Sequence, residues 1–209
     1  AKGPFISSLT VTDIFTTWTE NRAVFTKKGH LISKNFRDVE RVLPFKLLAI
    51  NSDSGSEFLN KEMLKYTNYG HRVKFTRSRP YKKNDNCYVE QKNYTHVRQL
   101  FGCERLEDDF LVEPMNDIYK TWNDLQNYFI PTFKLKEKVR IGARIQKKYD
   151  TPKTPYARAV ESSSLNKYEK SQLKLKKEAL NPFKLKLDLE AKLKDFYELI
   201  RTTKRRKVA

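Results

Sequence analysis

Lys46-Leu47-Leu48-Ala49-Ile50-Asn51-Ser52-Asp53-Ser54-Gly55-Ser56-Glu57-Phe58-Leu59 reads as a strand, a tight turn and the start of a helix. The apolar run 46–51 begins after Pro44 and has the length of a buried strand, and Gly55 permits the turn that follows. Phe58, Leu59, Met63 and Leu64 then recur at helical spacing, which predicts a helix over 56–68. Asp53 is therefore set at the end of a strand. Upstream, 5–11 and 18–25 read as a hairpin turned around 13–17. Leu31, Ile32, Phe36, Val39 and Leu43 predict a helix over 30–43, stopped before Pro44. Downstream, 72–76 is a short strand and 76–84 a polar loop. A second helix then carries Glu90 about one turn from its start and runs through Val97 and Leu100 to Gly102, whose missing Cβ suits a C-terminal cap. Strands alternating with helices after an opening hairpin predict an α/β fold with one mixed sheet.

A strand-end Asp and a helix Glu, brought together, form an oxygen-only pocket for a hard divalent cation. Magnesium suits it, because that ion takes one or two carboxylates and completes its shell with water and phosphate oxygens. Each carboxylate alone has a plainer reading, since Asp near Gly is turn chemistry and a helix Glu is mostly a solvated surface group.

The neighbouring residues narrow the choice. Thr76-Arg77-Ser78-Arg79-Pro80-Tyr81-Lys82-Lys83-Asn84-Asp85-Asn86, followed by Val89-Glu90-Gln91-Lys92-Asn93, resembles the glutamate segment of integrase-type DDE transposases from bacterial insertion sequences. Ser52-Asp53-Ser54-Gly55-Ser56-Glu57-Phe58 resembles that family's second-aspartate segment. Leu9-Thr10-Val11-Thr12-Asp13 with Trp18-Thr19-Glu20 is similar to the strand pair between the first two catalytic residues. Tyr149-Asp150-Thr151-Pro152-Lys153-Thr154-Pro155-Tyr156 resembles the segment after the core. The resemblance covers nearly the whole chain. It implies a ribonuclease-H-like mixed sheet flanked by helices, as in a retroviral-integrase catalytic core. It further implies DNA transposition or integration by phosphodiester cleavage and strand transfer, dependent on Mg2+ or Mn2+, and a homo-oligomer on DNA ends. Asp53 and Glu90 match the family's catalytic metal ligands, and Lys82 and Lys83, in the loop before the Glu90 helix, are expected to steer the DNA backbone.

Two departures bear on activity. Ser54 stands where the family commonly has Asn, a mild change because Ser also makes local turn bonds. The family's first catalytic Asp lies on an opening strand upstream of Gly3-Pro4-Phe5-Ile6-Ser7-Ser8-Leu9, and this chain starts at Ala1, so an N-terminally truncated core is expected. Asp13, at the end of the next strand, reads as turn chemistry rather than as a third ligand. With two of three carboxylates, ion binding is expected to be weak and cleavage slow. The alternative is a catalytically inactive truncated transposase remnant that only binds DNA.

Charge supports a polyanionic partner. Residues 1–133 hold 20 Lys/Arg against 16 Asp/Glu, whereas residues 134–209 hold 23 against 9 out of a total formal charge of +18. The second part is the expected phosphate-binding surface, with salt-sensitive binding. Val139, Ile141 and Ile145 alternate with charged residues over 134–149, which suits a β-ribbon or an extended arm. Lys147 and Lys148, beside Tyr149, are the candidate DNA contacts there. A division follows of 1–131 as an incomplete core, 132–160 as a basic linker or β-ribbon, and 161–209 as a basic helical region.

In the core's last helix, predicted over 114–128, Ile118, Trp122, Leu125 and Phe129 form a packing stripe. In the basic region one helix is predicted over 164–180 and a second after Asn181 and Pro182, an N-cap followed by the residue favoured at the first helical position. Leu185, Leu189, Leu193, Phe196 and Ile200 line one side of that helix and require a partner, either the preceding helix or another subunit. Cys87 and Cys103 have no metal-site spacing to His30, His71 or His96. No apolar run of membrane-spanning length and no glycine-rich phosphate loop occurs. The chain reads as soluble, with no membrane partner, and as cytoplasmic and nucleoid-associated.

Overall fold

A computed structural model describes residues 3–26, 28–52, 61–68, 73–79 and 87–208. The chain opens with an antiparallel hairpin, β1 (Ile6–Thr12) and β2 (Thr19–Phe25). Asp13 closes it: its Oδ2 accepts the Thr16 backbone N–H and the Thr16 hydroxyl, both at 2.6 Å, and Thr17 takes a positive φ of 66°. Asp13 therefore does the turn work expected of it. Helix α1 (Gly29–Val42) follows, then β3 (Ala49–Ser52), α2 (Lys61–Asn68) and β4 (Lys74–Arg77), with β4 parallel to β3.

Helix α3 (Cys87–Lys92) continues through a π-helical stretch, Asn93–Arg98, into α4 (Gln99–Phe101). Gly102 ends it at φ 73°, the backbone state anticipated from its lack of a Cβ. A 3-10 turn at Asp109–Leu111 leads into α5 (Val112–Phe129). An antiparallel ribbon, β5 (Leu135–Ile141) and β6 (Arg144–Tyr149), precedes α6 (Pro155–Glu161), α7 (Lys167–Ala179) and α8 (Pro182–Val208). Asn166 caps α7 through a reciprocal bond pair with Glu169. Asn181 Oδ1 accepts the backbone N–H groups of Phe183 and Lys184 at the start of α8.

The hairpin is the middle layer. Leu9 and Val24 face α1 and α2, where they join Ile32, Phe36, Ile50, Met63, Tyr66 and Val73. Ile6 and Ala23, on the opposite face, meet α4, α5 and α8 through Leu100, Phe101, Met115, Ile118, Tyr119, Leu189, Phe196 and Ile200. A third cluster, Trp18, Tyr128, Ala159, Leu165 and Leu173, seats α6 and α7. Burying each such side chain contributes about 1.5–3 kcal/mol. The apolar stripe of α8 thus packs on α5 within the same chain, rather than on α7 or a second subunit.

The fold is mixed α/β, but the strands do not form one sheet among the described residues. They form three two-stranded sheets, β1–β2, β3–β4 and β5–β6. The edges of the first two differ sharply. Pairing of Phe5 with Thr26 and of Asp13 with Trp18 turns the backbone of Thr19, Asn21 and Ala23 to the outer edge of β2. Helix α5 closes that edge with amides. Asn127 accepts from the Thr19 N–H (2.9 Å) and donates to its carbonyl (2.8 Å), and Asn116 treats Ala23 the same way (2.8 and 3.1 Å). The Asn21 carbonyl accepts from Arg22 Nη1 at 2.7 Å. By the same alternation Ser8, Thr10 and Thr12 turn their backbone to the outer edge of β1, and Ala49 and Asn51 to the outer edge of β3. Those backbone groups have no partner among the described residues, although Ser8, Thr10 and Thr12 are half-buried.

Candidate active site and nucleic-acid interface

Helix α3 presents Glu90 and lies against β1. Glu90 is exposed and has no hydrogen-bond or ion-pair partner among the described residues, so its carboxylate is open to a ligand. Asp53 directly follows Ser52, the last residue of β3, but itself lies outside the described residues, as do Lys82 and Lys83. Among the described residues no three His, Cys, Asp or Glu side chains converge on a common point.

Lys92 sits two residues beyond Glu90. It is half-buried, and burial, followed by the Arg158 cation, lowers its ammonium to about 8. His96, in the π-helical stretch, is buried and donates from Nδ1 to Asn21 Oδ1 at 3.0 Å. Burial, with Lys92 adding to it, lowers its imidazole to about 3, so it is neutral and its role is to dock the helix on β2. Glu20, next to Asn21 on β2 and so on the other face of the strand, is buried and accepts from Trp18 Nε1 (3.0 Å), Asn123 Nδ2 (3.0 Å) and Arg22 Nη1 (3.2 Å). Burial raises its carboxyl above the ordinary range despite Arg22 and Trp18.

The β5–β6 ribbon is exposed at every residue of both strands. Its root is built with care. Arg158, only 7% exposed, donates to the carbonyls of Thr132 (2.6 Å) and Lys153 (2.8 Å), to the Thr132 hydroxyl (2.8 Å) and to Asp150 Oδ2 (3.1 Å). Asp150 also accepts the Lys134 backbone N–H at 2.6 Å. Burial pushes the Asp150 carboxyl up, but the Lys134 N–H and the Arg158 guanidinium outweigh it and hold the group below its usual range. Phe133 and Tyr149 meet edge to face at 6.2 Å across the base.

Register separates the two lysines singled out in the sequence. Lys147 lies opposite Lys138, and Lys148 opposite Glu137, so they project from opposite faces of the ribbon. Lys147 shares its face with Lys138, Arg140 and Tyr149. Lys148 shares the other with Glu137 and Gln146. Period-two alternation carried this signal for Lys147 and Lys148, while Lys138 and Arg140 needed the strand register to be found.

No family model matches the chain. A 158-residue stretch, 76% of the chain, is 37% identical to the uncharacterized protein y4rM of Sinorhizobium fredii. That stretch spans 45% of the relative, so the chain covers less than half of the length of the protein it matches. Among the described residues no helix is long and apolar enough to cross a membrane.

Proposed function

We propose that the chain is part of an integrase-type DNA strand transferase with a ribonuclease-H-like core, acting in transposition or integration. The observation that carries this reading is the pair of open strand edges. The hairpin β1–β2 and the parallel pair β3–β4 are backed by one apolar cluster with α1 and α2, and each ends in an edge whose backbone has no partner among the described residues. One strand running antiparallel to β1 and parallel to β3 satisfies both and turns two strand pairs into a five-stranded mixed sheet. Ser8, Thr10 and Thr12 are half-buried, and a backbone group that neither water nor a partner satisfies costs about 1–3 kcal/mol, which favours such a strand beside β1. In the resembling family that position belongs to the strand bearing the first catalytic Asp. Ser52, the residue before Asp53 in the sequence, ends β3 on one side of it, and Glu90 rides on α3 against β1 on the other.

Asp53 and Glu90 offer oxygen donors only, the set that a hard ion such as Mg2+ or Mn2+ prefers, and Glu90 is exposed without a partner among the described residues. An ion bound there supplies Lewis-acid activation of a phosphodiester and its attacking hydroxyl. The chain's own contribution is to orient the two carboxylates, through β3 and through the His96-docked helix, and to hold DNA by its basic second part. Lys82 and Lys83 are assigned to the DNA backbone near the carboxylates.

The test is a strand-transfer assay with the full-length protein and duplex DNA in Mg2+ or Mn2+. Asp53→Asn and Glu90→Gln are each expected to lower the rate at least about 100-fold while DNA binding persists. Undiminished transfer by either variant would overturn the reading. DNA binding without strand chemistry is the second reading, favoured by the concentration of charge in residues 134–209. Salt-sensitive binding with no ion-dependent cleavage by the unaltered protein would select it.

A further inference from the structure

The β5–β6 ribbon combines three properties that a structural hairpin does not need. Every residue of both strands is exposed, so the ribbon buries no face of its own. A two-stranded hairpin left in water is marginal at best, yet this one is fixed at its root by the Arg158 bonds and the Thr132–Lys153 bridge. Finally, Lys138 and Lys147 are set directly opposite each other, with Arg140 two residues along the same face. Like charges in that position destabilise a strand pair, so the arrangement works against the ribbon's own stability. Residues 134–150 hold seven Lys/Arg against two Asp/Glu.

We infer that the Lys138, Arg140 and Lys147 face of the ribbon is a binding surface for the phosphate backbone of duplex DNA. A polyanion neutralises the Lys138–Lys147 repulsion, so partner binding and ribbon stability reinforce each other. The dimensions agree: strands of six and seven residues reach about 20 Å, and a two-stranded ribbon fits the major groove, which is about 12 Å wide. Ile145 and Tyr149 lie on the same face, next to the cations, where they add apolar contact to base edges or sugars. Arg158 fixes the direction in which this arm leaves the body, and Lys148, paired with Glu137 on the far side, is not part of the surface. The inference takes its partner from the function proposed above and adds the surface that grips it. It requires neither carboxylate.

The test measures binding of the whole chain to a duplex of arbitrary sequence by fluorescence anisotropy, in EDTA, between 50 and 200 mM KCl. Each phosphate contact contributes about 0.9 to the slope of log affinity against log salt. The Lys138→Ala, Arg140→Ala, Lys147→Ala triple variant is expected to flatten that slope by about 2.7. The unaltered protein then loses about 40-fold more affinity than the variant across this fourfold salt range. Lys147→Glu separates contact from folding, because it pairs with Lys138 across the strands. Ribbon amides are expected to exchange more slowly while DNA binding weakens at least about tenfold. Lys148→Ala is expected to change affinity less than about threefold.

The inference fails if the triple variant keeps the unaltered slope, if Lys147→Glu binds DNA as well as the parent, or if Lys148→Ala loses as much as Lys147→Ala. It also fails if single-stranded RNA or anionic phospholipid vesicles bind more tightly than duplex at equal phosphate concentration. Because no divalent ion is present, failure here leaves the strand-transfer reading standing, and loss of that reading through Glu90→Gln leaves the slopes untouched.

Discussion

Among the described residues are two antiparallel hairpins with strands of similar length and opposite fates. In β1–β2 one face packs on α1 and α2 and the other on α5, and the outer edge of β2 is sealed by Asn116 and Asn127. In β5–β6 no residue is buried, and all the holding bonds sit at the root around Arg158 and Asp150. Backbone pairing is therefore not what distinguishes a scaffold strand from a presenting one. The covering elements decide: a hairpin with helices on both faces becomes a core, and one tethered at its base becomes an arm.

The comparison breaks first at the root. Arg158→Ala removes one of the donors to each of two carbonyls and breaks the ion pair with Asp150, and is expected to cost about 4 kcal/mol in urea unfolding, with amide protection lost throughout the ribbon. A smaller loss with ribbon protection retained would mean that the arm is held by something other than its root. Matched truncations sharpen the contrast. Leu9→Ala, 5% exposed in the first hairpin, is expected to cost about 3 kcal/mol, and Val139→Ala, exposed in the second, less than about 0.5 kcal/mol. Equal costs for the pair would remove the distinction between core and arm.

Asn127→Ala tests the sealed edge. It removes two bonds to Thr19 and strands a buried N–H and carbonyl, for an expected loss of about 2 kcal/mol. The smallest effect is in acid, where the two hairpins are expected to respond in opposite directions. Burial raises the Glu20 carboxyl above its ordinary 4.5, so the folded state binds that proton more tightly than the unfolded chain. Its contribution is full below 4.5 and is lost as pH rises through the raised value. Asp150 is held below its ordinary 3.8, so its contribution is full above 3.8 and is lost as pH falls through the lowered value. Hydrogen-exchange protection, corrected for intrinsic rates, should rise around Thr19–Arg22 on acidification and fall at Lys134 and Asp150 below 3.8. Changes of the same sign in both places would contradict these assignments.

Much of the fold was readable because burial leaves a period in the sequence. The hairpin, α1, α5 and the break between α7 and α8 lie within a few residues of their predicted bounds. Helix α6 was passed over, although Thr154 and Pro155 form the same cap-and-first-residue pair as Asn181 and Pro182. The sealing amides were also missed. Asn116, Asn123 and Asn127 are spaced by seven and four and so share one side of α5, but polar residues at helical spacing are read by default as a wetted face. One sheet was expected and separate pairs are present, because neither β1 nor β3 finds a neighbour on its outer edge among the described residues. Of the anticipated site, Glu90 is exposed on α3, and Lys147 and Lys148 stand on opposite faces of the ribbon, a split that follows from their being adjacent in a strand. Asp53, Lys82 and Lys83 lie outside the described residues.

The π-helical stretch Asn93–Arg98 gives the helix that carries Glu90 a phase of its own. An α-helix turns about 100° per residue, and a wider turn carries an additional residue without lengthening the path, so the segments on either side are rotated relative to a continuous α-helix. Leu100 and Phe101 are locked into the core on one side of this stretch, while Glu90 faces solvent on the other. The compass bearing of that carboxylate is thus set by the winding of these six residues, and losing one of them would swing it by about 100° relative to α4.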